Sequence, residues 1–155
     1  MSAQDEWHRW LFLGIRYQAT AAEHFLVEGD LDRASEHLQT LRENATRLDI
    51  RKYAATAGRL AAEIAAARGD LATAEGELVA GTELLRDRPA PLAAWKLWAA
   101  LGSVRARHND TAGAREAWRQ SAAIIDMIAG NVAEEDLRAK FLGSDAVAQV
   151  RRALS

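Results

Sequence analysis

The chain has 155 residues, 20 of them Lys or Arg and 22 Asp or Glu, for a formal charge of −2. That length suits one domain, and the charge balance offers no basic field to gather nucleic acid or anionic lipid. The absence of cysteine removes disulfides, thiolate metal sites and Cys nucleophiles together. Alanine fills about a fifth of the chain, and both prolines sit in Arg86-Asp87-Arg88-Pro89-Ala90-Pro91, a profile that predicts helices.

The first helix is expected over residues 5–28, with Trp7, Trp10, Leu11, Gly14, Tyr17, Ala21, Ala22 and Phe25 on one face. A second follows over 30–47, a third over 48–68 and a fourth over 71–86. The proline segment breaks the pattern and restarts it. A fifth helix is then expected over 92–108 and a sixth over 111–129, ended by Gly130-Asn131. Two shorter helices, 132–142 and 145–154 (the latter behind Ser144 as N-cap), complete the chain. No stretch alternates Val, Ile and Thr as a strand would. The first ten residues lack the basic start and apolar run of a signal peptide. Apolar stretches are interrupted by charge within about ten residues, so no membrane span is expected; a cytoplasmic location, compatible with the absence of cysteine, is expected.

Three segments align without gaps: Gly29-Asp30-Leu31-Asp32-Arg33-Ala34, Gly69-Asp70-Leu71-Ala72-Thr73-Ala74 and Asn109-Asp110-Thr111-Ala112-Gly113-Ala114, spaced by 40 residues. Leu38, Leu78 and Trp118 share a phase downstream, as do Ala22, Ala62 and Gly102 upstream. Gly and Asn tolerate the left-handed conformation that closes a helix. The following Asp accepts from free N–H groups at the start of the next. Each unit therefore reads as helix, tight turn, helix. The small residues at 22/34, 62/74 and 102/114 let the two backbones approach.

These residues resemble the tetratricopeptide repeat, two antiparallel helices packed around small residues. The third unit carries the likeness best, with Trp98, Leu101 and Gly102 followed by Ala114 and Trp118. The first has Ala21, Ala22, Phe25, Ala34 and Leu38; the second, Ala61, Ala62 and Ala65, is degenerate. The usual repeat is 34 residues, and the 40-residue period resembles regions of large bacterial signalling ATPases and maltose-activator-type transcription regulators. The ending, residues 136–144, is similar to the way those regions finish. The resemblance implies an all-α fold, a right-handed α-α superhelix of three helix pairs plus C-terminal capping helices. One domain, 1–155, would hold units of about 15–47, 48–88 and 89–130 and a cap over 131–155.

Catalytic constellations are not evident. His8, His24, His37 and His108 never fall at the spacing that puts two ligands on one helical face. Glu134-Glu135-Asp136 sits where a helix begins, and carboxylates there complement the dipole. Gly76 and Gly81 lie within helical patterns, Lys52, Lys96 and Lys140 follow no glycine run, and there is no Gly-x-Ser-x-Gly elbow. No cofactor, metal or catalytic residue is expected, and the chain reads as a non-enzyme.

Partners of the resembled family lie against the inner helices. The inner set implied here is Arg16, Glu23, Arg59, Glu63, Lys96, Ser103 and Arg107. Glu23 and Glu63 stand where the family's carboxylate-clamp subgroup has asparagine, which argues against a clamp for a C-terminal carboxylate. Trp98 and Trp118 are explained by repeat packing, and Trp95 is expected to join the core of Trp98. Trp7, Trp10 and Leu11, with Phe12 and Leu13, load the first helix with apolar surface at an end that solenoids normally keep polar. Two readings are open there, a partner-binding or homodimer end and an ordinary core. The function expected is a protein–protein or peptide interaction scaffold in signalling. The alternative is a sensor segment of a larger regulator that binds a ligand or peptide in its groove.

Overall fold

A computed structural model describes the backbone of residues 3–155 and the side chains from Phe12 onward. Among the described residues the fold is all-α, with eight helices and no strand. They are α1 (Ala3–Glu28), α2 (Leu31–Arg47), α3 (Arg51–Ala67), α4 (Leu71–Leu84), α5 (Pro91–Arg107), α6 (Thr111–Asn131), α7 (Glu135–Leu142) and α8 (Asp145–Leu154). Each of the first six packs on the next. The odd-numbered helices also touch in turn, α1 on α3 and α3 on α5, while α8 lies against α6. No described helix is long and apolar enough to cross a membrane.

The three 40-residue turns are built alike. Gly29, Gly69 and Asn109 have φ of 79°, 86° and 64°. In each, the N–H of the next Asp donates five residues back, to the carbonyls of Phe25, Ala65 and Arg105, at 2.9 Å. This closes the helix with a Schellman pattern. Asp30, Asp70 and Asp110 then accept from the N–H groups of Arg33, Thr73 and Gly113 at 2.9–3.1 Å. One tripled turn thus ends one helix and starts its partner. At Asp70, hydrogen bonding to Thr73 holds the carboxyl below its ordinary value.

A fourth turn of this kind joins α2 to α3, where no glycine marks it. Asp49 takes φ 50°, and Ile50 N–H donates to Ala45 O at 2.9 Å. The helix expected to start at 48 therefore begins at Arg51. A left-handed residue other than Gly costs about 1–2 kcal/mol, Asp less than most. Asp49→Gly is expected to be neutral or to stabilise by up to about 1 kcal/mol, after the entropy cost of Gly. Gly69→Ala is expected to destabilise by about 1 kcal/mol; a Cβ there meets no atom within 4 Å, so backbone strain alone acts. Urea titration of both variants reads the difference between them, and equal shifts would contradict the turn assignment.

Ala22, Ala34, Ala62, Ala74, Gly102 and Ala114 are all buried. The third pair is the tightest. A Cβ on Gly102 would lie 2.7 Å from Cε2 of Trp118 and closer still to Nε1 and Cδ1, so the indole of α6 rests directly on the α5 backbone. Gly81 of α4 similarly receives Leu97 of α5, whose Cδ2 would sit 2.8 Å from a Cβ. Three apolar clusters follow the chain. Ile15, Ala19, Ala22, Leu41, Ala57 and Leu60 form the first. The second gathers around Leu78, Leu97 and Leu101, and the third joins Trp95 and Ile125 to Val147 and Val150 of α8.

Three expectations change. The buried stripe of α1 is Ile15, Ala19 and Ala22 with Leu26 behind it, about one residue round from the predicted face. Tyr17 is 62% exposed, its ring edge-on to His37, which stacks on Phe25 and bonds Gln18 through Nδ1 at 2.7 Å. A phenol serves well at such a half-wet margin, whereas Ile15 must be dry. Trp95 does not join Trp98. It turns to the cap, edge-on to Phe141, and its carbonyl accepts from the buried Ser121 hydroxyl at 2.8 Å. Ser144 precedes α8, but its hydroxyl donates to Phe141 O instead of capping the helix.

Candidate binding groove

A concavity of about 760 Å³ lies between α3, α5 and α8. Its walls follow from helical periodicity. On α5, Lys96, Ala99, Ala100, Ser103 and Arg107 recur at three- and four-residue steps and form one stripe. On α3 the corresponding stripe is Arg59, Ala62, Glu63, Ala66 and Ala67. The third wall, Ala146, Gln149, Val150 and Ala153, comes from α8. Seven of these side chains are alanine methyls, so the backbones themselves bound the groove.

Of the residues expected to face inward, Arg59, Glu63, Lys96, Ser103 and Arg107 meet in this groove. Arg16 is exposed on α1 and is not among its lining residues. Glu23, also on α1, reaches α3 by pairing with Arg59. Trp7, Trp10 and Leu11 lie outside the described side chains. Their neighbours Phe12 and Leu13 are 48% and 54% exposed.

Arg59 is the most constrained charge, with its side chain 11% exposed. One nitrogen donates to Glu63 at 2.6 Å and another to Glu23. Burial works against its charge, but the two carboxylates outweigh burial and raise its pKa above the ordinary value. It is a buried tie between α1 and α3, with little capacity left for a ligand. Arg107 donates to the Ala66 carbonyl at 3.0 Å, where α3 ends. A cation there adds a second donor to a carbonyl that already accepts from Gly69 N–H at 3.2 Å, and it complements the helix dipole. Lys96 is exposed, with Nζ 5.9 Å from the Trp95 ring centroid. Among the described residues, neither Lys96 nor Arg107 has a carboxylate within salt-bridge distance.

On the opposite side of α5, Glu75 of α4 accepts from Arg105 at 2.8 Å and lies 3.3 Å from His108 Nδ1. The Arg105 hydrogen bond, opposed by desolvation and helped by His108, lowers the Glu75 carboxyl from its usual value. This cluster fastens α4 to α5 away from the groove.

The α8 wall escaped sequence reasoning because α8 lies beyond the 40-residue phase. Its one signal is the helical spacing of Ala146, Gln149, Val150 and Ala153, small or amphipathic side chains on one face. No protein-family model matches the chain, and comparisons with curated proteins and with solved structures likewise give no match.

Proposed function

We propose that this chain is a non-catalytic protein-binding scaffold, a tetratricopeptide-like right-handed superhelix whose inner helices hold a polypeptide segment of a partner. The observation that carries this reading is the groove, about 760 Å³, walled by three helical stripes. Concave sites of that size are where proteins take up ligands. Helix pairs stacked through α1, α3 and α5 supply such a surface. The lining favours binding over turnover. Its titratable groups are Arg59, Glu63, Lys96 and Arg107; two of these pair with each other, and no nucleophile stands beside a base.

Ala146 is an exposed lining residue of α8, so Ala146→Trp fills the groove without entering the core. Ala112, exposed on α6 and outside the groove lining, serves as control. Affinity capture with mass spectrometry is expected to recover a protein with the parent chain and with Ala112→Trp, and to lose it with Ala146→Trp. Recovery of the same proteins by all three chains would overturn the reading.

A further inference from the structure

The charges of the groove select its occupant. Arg59 pairs with both Glu63 and Glu23, so its charge is already taken up and that cluster carries one net negative charge. That leaves Lys96 and Arg107 as the uncompensated pair among the lining residues. They stand three turns apart on one face of α5, about 16 Å at 1.5 Å per residue. Between them lie Ala99, Ala100 and Ser103. The neutral hydrogen-bonding side chains of the lining are few: Ser103, Gln149 and the indoles of Trp95 and Trp118. An extended peptide would need partners for its backbone there. A helix brings its backbone already paired, and alanine walls let it approach closely. A helical cylinder about 10 Å across and 16 Å long occupies roughly 1,300 Å³. The groove, at about 760 Å³, would take somewhat more than half of it.

We propose that the groove takes an amphipathic helix of a partner protein, laid along α5, with an apolar small-residue face on the alanine floor and two carboxylates eleven residues apart meeting Lys96 and Arg107. This rests on the reading of the groove as a polypeptide site and adds the chemistry of the segment. Exposed ion pairs contribute modestly, so selection between charge types, not tight affinity, is the signature.

The probes are three labelled synthetic helices with the same Leu/Ala face and Glu, Lys or Gln at two positions eleven residues apart. Fluorescence anisotropy is expected to show the Glu helix binding the parent in the micromolar range and about tenfold more tightly than the Lys helix. Lys96→Glu, which leaves one cation and one carboxylate on the stripe, should abolish that preference. Arg107→Gln, which keeps a donor for the Ala66 carbonyl, should weaken the Glu helix several-fold and leave the Gln helix unchanged. Thermal melts of each variant separate these effects from unfolding. Equal binding of all three helices, or an order unchanged by Lys96→Glu, overturns the inference and leaves the polypeptide site standing. Binding of none overturns the inference too, and the Ala146→Trp capture then decides whether the site itself survives.

Discussion

Gly102→Ala is expected to destabilise the fold by about 1–3 kcal/mol, the usual result of forcing an extra carbon into a full site. Helix propensity alone predicts the opposite sign, since Ala is favoured over Gly by about 1 kcal/mol inside a helix. Sterics win because the obstacle is the rigid ring of Trp118, with three atoms inside contact distance of the new Cβ. For a chain of this size the melting temperature should fall by several degrees. The second arm of the test is Trp118→Leu, which removes the ring. In that background Gly102→Ala should become neutral or stabilising. A Gly102→Ala variant as stable as the parent would mean that the third helix pair is more loosely packed than described.

The ion triad around Arg59 is expected to respond asymmetrically. Replacing both carboxylates, Glu23→Gln with Glu63→Gln, leaves the largely buried Arg59 charge without a counter-charge. The loss should fall near the lower end of about 3–5 kcal/mol, because each Gln keeps one acceptor oxygen. Arg59→Met removes the buried charge instead. The glutamates left behind have side chains 44% and 35% exposed, so water can take over their solvation, and Met fills the apolar path of the Arg stem. That variant should lose clearly less stability. Denaturant unfolding at neutral pH measures both, and a larger loss for Arg59→Met would contradict the assignment of Arg59 as the buried partner. The same geometry makes charge reversal at Arg59 a poor probe of ligand binding, because it would unfasten α1 from α3 first.

What the sequence revealed and what it hid divide along physical lines. The turns at Gly29, Gly69 and Asn109 were legible because a left-handed residue followed by a capping Asp needs particular residue types at adjacent positions. The turn at Asp49 was not, because Asp tolerates that conformation without requiring it. The inner stripe of α5 was legible from the phase of the repeat, which placed Lys96, Ser103 and Arg107 together. Arg59 lay at the right place in the same scheme, yet its burial was invisible, since it depends on Glu23 from a neighbouring helix. Trp95 was misplaced for a related reason. Its position one turn from Trp98 suggested a shared core, but the two indoles leave α5 in different directions, and only the location of α8 decides where Trp95 becomes dry. Helical spacing identifies faces; which neighbour covers each face is a tertiary fact.

The position of α8 has a consequence for how copies of this chain could meet. Val147 and Val150 of α8 pack with Trp95, Ala122 and Ile125 and cover one side of the α5–α6 pair. At the other end of the row, α1 presents Phe12, Leu13 and Tyr17 to solvent. Leu137 and Leu142 of α7 are exposed as well, at 53% and 37%. Two copies meeting through like surfaces would close a pair, whereas contact between unlike surfaces could add members without limit, as fibres do.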